Sequence, residues 1–154
     1  MTGVQTCALP ILSAATELLK PLMVGEGTEP VGRVCLGTVK GDMHDIGKNL
    51  VKIMMEGCGL EVIDLGVDVA PETFVQTAKE KACDIIACSS LLTTSMSEMQ
   101  AVVELADRAG IHGRVKIMVG GDPVTQEFCD RIGADVYTDD AAQAARAAVE
   151  LLRA

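Results

Sequence analysis

The chain has 154 residues, 49% of them apolar, and a formal net charge of −9. That length and apolar content fit one globular domain with its own core, while the acidic balance, with only two Phe and one Tyr, argues against a nucleic-acid partner, which calls for clustered Lys and Arg and for stacking rings. No apolar run approaches a membrane span, and the N-terminus lacks the basic region and long apolar core of a secretory signal, so a cytoplasmic location without a membrane partner is expected.

Met1 to Leu12 keep neither helical nor strand period and join abruptly to a helical pattern. They resemble translated adaptor read-through and are read as a non-native leader, residues 1–12. From Ser13 to Met23, Ala14, Leu18, Leu19 and Leu22 hold a helical stripe, and Gly25 to Pro30 reads as a linker.

Gly32 to Val39 is a short apolar, β-branched run of the kind that makes a buried strand. The segment Lys40-Gly41-Asp42-Met43-His44-Asp45-Ile46-Gly47-Lys48-Asn49 comes next. Ile46, Leu50, Ile53 and Met54 then recur at helical spacing until Gly57-Cys58-Gly59, with Asp45 as the expected N-cap. The loop therefore lies at the carboxyl edge of a first strand, where open α/β sheets bind ligands.

Alternation continues regularly. Leu60 to Leu65 reads as a second strand, Pro71-Glu72 opens a helix with Phe74, Val75 and Ala78 on its buried face, and Asp84 to Cys88 is a third strand. A helix is expected from about Ser95 to Ala109, then a strand Val115 to Val119, a helix through Glu127 to Arg131, a strand Ala134 to Tyr137 and a last helix Asp140 to Arg153. Five βα units with right-handed crossovers predict an α/β, doubly wound, five-stranded parallel sheet in flavodoxin-like (Rossmann-like) order 2-1-3-4-5.

Chemistry-bearing residues gather on three of the expected carboxyl-edge loops. His44 is one of two histidines and stands two residues after Asp42. A neutral imidazole ligates metals well when its other nitrogen donates to a carboxylate, but a loop histidine bonded to backbone beside a turn aspartate fits as well. Ser89 and Thr93 come after the third strand and have a ligand-binding and a loop-capping reading. Gly47 and the pair Gly120-Gly121 permit close backbone approach to a ligand or serve as turn residues. Ser95-x-x-Glu98 is a capping box. His112, in a polar turn at the opposite edge, is read as solvated. Cys35, Cys58, Cys83, Cys88 and Cys129 are scattered one by one without a Cys-x-x-Cys, and Cys35 and Cys88 fall in expected strands, as small buried thiols in a reducing compartment would. The methionines near the loop, including Met54, Met55, Met96 and Met99, are read as packing residues and not as thioether ligands.

Asp42-x-His44-x-x-Gly47, then Ser89-Ser90-Leu91, then Gly120-Gly121, in that order, resembles the three-part signature of cobalamin (B12)-binding domains. The likeness runs from about Ala14 to the C-terminus and is strongest to the corrinoid proteins of methylamine and methanol methyltransferase systems, with the methionine synthase cobalamin domain related. The resemblance implies a cobalamin-binding domain over residues 31–154, preceded over 13–30 by the last helix of a truncated helical cap and a linker. It implies His44 as the lower ligand of cobalt, held by a relay through Asp42 and Ser95, with the hydroxyl of Ser95 serving both relay and cap. Gly41, Met43, Asp45, Ser89, Leu91, Thr93, Gly120, Gly121 and Ala141 would complete the cofactor contacts with Asp42, His44 and Gly47. Asp122 departs from the small residue usual after the glycine pair and places a carboxylate near the tail loop.

The implied function is that of a methyl carrier, not catalytic alone. Its cobalamin, as cob(I)alamin or methylcobalamin, would shuttle a methyl group between a substrate-specific methyltransferase and a second, methyl-accepting one, a reductive activator being a further expected partner. The alternatives are the B12-binding subunit of an adenosylcobalamin-dependent mutase, a B12 sensor and a cofactor-free flavodoxin-like module. Ile46, Lys48-Asn49 and Leu91 to Ser95 resemble the methyl-transfer branch.

Overall fold

The computed structural model describes residues 29–154, so the expected leader and cap helix lie outside the described residues. Within that range eleven elements succeed one another: β1 Arg33–Val39, α1 Ile46–Gly57, β2 Glu61–Val69, α2 Pro71–Glu80, β3 Ile85–Ser89, a 3-10 turn Thr93–Ser95, α3 Met96–Arg108, β4 Lys116–Gly120, α4 Gln126–Ile132, β5 Val136–Thr138 and α5 Ala141–Arg153. Neighbouring strands are all parallel, in the order β2-β1-β3-β4-β5. The order reverses between β1 and β3, which makes the carboxyl ends of those two strands the topological switch point.

Strand alternation divides the core. Cys35 and Val39 of β1 turn to one face with Ile86 and Ile117, where Phe74, Met99, Val102 and Phe128 of α2, α3 and α4 cover them. Val34 and Leu36 turn to the other, covered by Met55 of α1 and Ala144, Ala145 and Ala148 of α5. Small residues on α5 let it lie close to the sheet. Gly37 does the same for α2, since a Cβ there would stand 3.0 Å from the Phe74 ring.

Three local expectations need correction. The second strand is longer than its apolar run and continues through Gly66 to Val69, because the register with β1 slips at Gly37 and Gly66 takes φ +87°. The polar, glycine-containing end hid it. The stripe Ile46, Leu50, Ile53 and Met54 is not the packed face of α1. Ile53 is half-buried and the other three are exposed, whereas Met55, Lys48 and Glu56 are buried. Lys48 is accommodated because its Nζ lies 2.8 and 2.9 Å from the two Asp64 oxygens and 2.7 Å from Asn49 Oδ1. Burial opposes ionisation of Asp64, but Lys48 and the Gly66 amide outweigh it and hold its pKa below the usual carboxylate value.

His112, in turn, is not solvated. Its ring is 17% exposed, with Nδ1 2.6 Å from Asp107 Oδ1 and Nε2 3.0 Å from Asp135 Oδ2, so it ties the end of α3 to the entry of β5. Among the described residues, no helix is long and apolar enough to cross a membrane.

Candidate functional site

The loop between β1 and α1 is held by three hydrogen bonds from two residues. Buried Thr38 donates to the His44 carbonyl at 2.7 Å. Asp68, at the end of β2, accepts from the Gly41 amide at 2.8 Å and donates its own amide to the Asp42 carbonyl at 2.9 Å. Asp68 does so at φ +51°, a left-handed conformation uncommon for residues other than glycine, Asn and Asp. Neither residue stood out in the sequence. Thr38 is hidden by looking like any strand residue, and Asp68 by lying beyond the expected end of its strand.

Held this way, the Asp42 side chain is fully buried and both of its oxygens are engaged. Oδ1 accepts the His44 amide at 3.0 Å and lies 2.6 Å from His44 Nδ1. Oδ2 accepts the Leu91 amide at 2.6 Å, with Ser95 Oγ at 3.4 Å. Burial alone would raise the pKa of Asp42, but the two amides and the imidazole more than offset it, and the value falls below that of an ordinary carboxylate. An ionised Asp42 requires the Nδ1–H tautomer of His44. The imidazole is half exposed, and its Nε2 has no protein partner among the described residues.

Ser95 does not cap α3, contrary to expectation. A capping side chain needs extended backbone at its own residue, but Ser95 ends a 3-10 turn at φ −96°, ψ −6°. Its hydroxyl instead turns back to the Leu92 carbonyl at 3.0 Å and to Ser90 Oγ at 2.7 Å. Asp45 likewise occupies the N-cap position of α1 without a capping bond from its side chain. Asp140 does cap α5, accepting from the Gln143 amide at 2.7 Å.

Beside His44 opens a cleft of about 320 Å³ between α1 and α5, over the carboxyl ends of β1, β3 and β4. Its floor is apolar, with Leu36, Ala87, Met118 and Val119, and Asp122, Asp139 and Asp140 stand at its exposed side. Of the residues singled out in the sequence, His44, Gly47, Ser89, Leu91, Gly120, Gly121 and Ala141 line it, Asp122 joins them, and Asp42 and Ser95 stand behind His44. Gly41, Met43, Asp45 and Thr93 do not line it. Leu50, Val51 and Thr138 do, unanticipated. At Gly47 a Cβ would meet nothing within 4 Å, and at Gly121 it would stand 1.8 Å from the Ser90 carbonyl oxygen. Gly121 is therefore required by its neighbour, whereas Gly47 leaves open space along the cleft.

A parallel sheet with a carboxylate-anchored imidazole and an apolar cleft at its switch point defines a ligand-binding α/β domain. The B12 binding domain family matches residues 32–149, and the chain belongs to that family. "Dimethylamine corrinoid protein 1" of Methanosarcina acetivorans is 43% identical over 146 residues, 94% of this chain and 68% of that protein. A cobalamin-binding protein from Desulfitobacterium hafniense superposes with a TM-score of 0.80 at 34% identity, over 98% of this chain and 71% of that one. The methanol:cobalamin methyltransferase complex MtaBC from Methanosarcina barkeri gives a TM-score of 0.78 at 29% identity, over 84% of this chain and 49% of that one. The chain spans about two thirds of the length of most of these curated relatives and 87% of one, "Dimethylamine corrinoid protein 3" of Methanosarcina mazei.

The residues present fit a corrinoid. A metal already held by a macrocycle needs a single protein donor, and no group of three or more His, Cys, Asp or Glu side chains able to hold a bare ion occurs among the described residues. One imidazole with its second nitrogen free is what the site offers.

Proposed function

We propose that this chain is a methyl carrier: it holds a corrinoid with His44 beneath the cobalt and presents it to methyltransferases, one specific for the methyl donor and one for the acceptor. The observation that carries the reading is the 2.6 Å contact of His44 Nδ1 with buried Asp42, which leaves Nε2 free beside an apolar cleft. When bound, the corrinoid supplies a cobalt centre that accepts and releases methyl groups.

The protein's own part is to bind, orient and tune. Asp42 fixes the imidazole tautomer and ring orientation and strengthens Nε2 as a donor. Met43 and Leu91, exposed on the two loops that meet at Asp42, would give the macrocycle an apolar rest. The cleft takes the displaced nucleotide tail. Leu36 and Met118 would give its base an apolar floor, the Ser89 hydroxyl would be available to it, and Gly47, Gly120 and Gly121 would leave room for the tail's backbone. Similarity to methylamine and methanol corrinoid proteins supports methyl transfer over the mutase and sensor readings.

The test is an absorbance spectrum of the purified protein after incubation with hydroxocobalamin and, separately, methylcobalamin. Retained corrin with a histidine-ligated spectrum is expected, and His44→Ala should convert methylcobalamin to the base-off form. A protein that retains no corrin overturns the reading.

A further inference from the structure

We infer that Ser90 is a positioning residue for the lower-ligand relay: its hydroxyl competes with Asp42 for the proton of Ser95 and so adjusts how firmly Asp42 holds His44. This role rests on the reading of His44 as the corrinoid ligand.

Protons are in short supply around Ser95. Ser90 and Ser95 are both buried, each with one hydroxyl proton. Within reach of Ser95 Oγ are three acceptors: Ser90 Oγ at 2.7 Å, the Leu92 carbonyl at 3.0 Å and Asp42 Oδ2 at 3.4 Å. Ser90 Oγ reaches the same Leu92 carbonyl at 3.0 Å. When Ser95 donates to Ser90, Ser90 passes its own proton to Leu92, and Asp42 Oδ2 keeps only the Leu91 amide. When Ser90 donates to Ser95, the Ser95 proton is free to go to Leu92 or to Asp42. The distances favour arrangements that leave Asp42 with the weaker share.

Ser90 is well placed for this because its backbone cannot withdraw. Its amide donates to the Gly120 carbonyl at 3.1 Å, and its carbonyl lies against Gly121 with no room for a Cβ between them. Only rotation of the side chain remains. Through the same contacts the glycine pair of the tail cleft is fastened to the relay, two parts of the site that the sequence keeps about thirty residues apart.

Each donor to Asp42 spreads the carboxylate's charge and weakens the bonds it makes to the others. Ser90→Ala removes the nearer of the two competitors and leaves the Leu92 carbonyl, so Ser95 turns to Asp42 more often and the bonds from Oδ1 to His44 loosen. Ser95→Ala removes the donor, and those bonds tighten. The two substitutions therefore act in opposite directions, although each deletes one buried hydroxyl.

The test uses the cofactor-free protein, so that its failure is separate from a failure to bind corrin. Nuclear magnetic resonance reads the His44 amide proton and the His44 Nδ1 proton, both bonded to Asp42 Oδ1 and both far in sequence from the substitutions. Ser90→Ala should move them upfield and Ser95→Ala downfield. In the double variant the effect of Ser90→Ala should vanish, because nothing is left to release. Ser90→Cys, whose thiol is a poorer partner, should lie between wild type and Ser90→Ala and serves if the alanine variant does not fold. Shifts of the same sign in the two alanine variants, or no shift with Ser90→Ala or Ser90→Cys, would overturn the inference.

Discussion

Asp42 takes donors from two loops on two oxygens, so its replacement should be felt at every one of them. Asp42→Asn sets an amide NH₂ against one of the N–H groups it now accepts. Corrin affinity, followed by absorbance titration, is expected to fall about 10–100-fold, the range for loss of a carboxylate behind a ligating histidine. His112 makes a prediction of another kind. Burial disfavours its charged form, but Asp107 and Asp135 outweigh that and raise its pKa above the ordinary value. The sign of the pH effect is then fixed: the stabilisation is complete below the unfolded pKa of about 6.5 and is lost as pH rises through the higher folded value. Denaturant midpoints of wild type and His112→Gln should converge as pH rises above that range; a gap that stays constant would refute the assignment. Asp42 and His44 were legible as a pair because their chemistry shows in two letters and a spacing. The partners of His112 were not, since Asp135 reaches it only through the fold.

Elements are tied to the site by single contacts that local pattern does not reveal. Lys48 joins α1 to β2 through Asp64, and Asp64→Ala would leave a buried ammonium with Asn49 alone. Breaking such a pair from one side costs up to about 3 kcal/mol where the carboxylate is partly exposed, as here, and Lys48→Met, which leaves no buried charge, should cost less. Urea denaturation of the two variants decides the order. Gly121 is the stricter case. At φ +131°, with the Ser90 carbonyl oxygen 1.8 Å from where a methyl group would stand, Gly121→Ala strains the turn and pushes β3 from β4. A loss of at least ~2 kcal/mol and a drop in melting temperature of several degrees are expected. Helix and strand order could be read from periodicity alone. The apolar stripe of α1 misled because Leu50 lines the cleft, and a ligand-facing side chain has the same hydrophobicity as a core-facing one.

For the molecule as a whole, strand order came from regular βα alternation, since right-handed crossovers leave few ways to wind five parallel strands. The cleft was not readable at that level, because it is assembled from α1, α5 and three strand ends that meet only in space. Ligand that binds only the folded chain should raise its melting temperature with concentration, by about 2.7 kcal/mol of added stability at a hundredfold excess over Kd. The acidic side of the cleft affects how quickly that ligand arrives. Asp122, Asp139 and Asp140 stand at the exposed side of the cleft, on a chain of net charge −9, and in the proposed function a phosphodiester would have to pass them. Like charges slow an encounter, and dissolved salt shortens the range over which they act, to a Debye length of about 3 Å at 1 M. Capture of an intact corrinoid should therefore run faster in concentrated salt than in dilute buffer, and Asp122→Ala should flatten that dependence. Uptake of a corrinoid lacking the nucleotide loop, which carries no phosphate, should show little salt dependence in either protein.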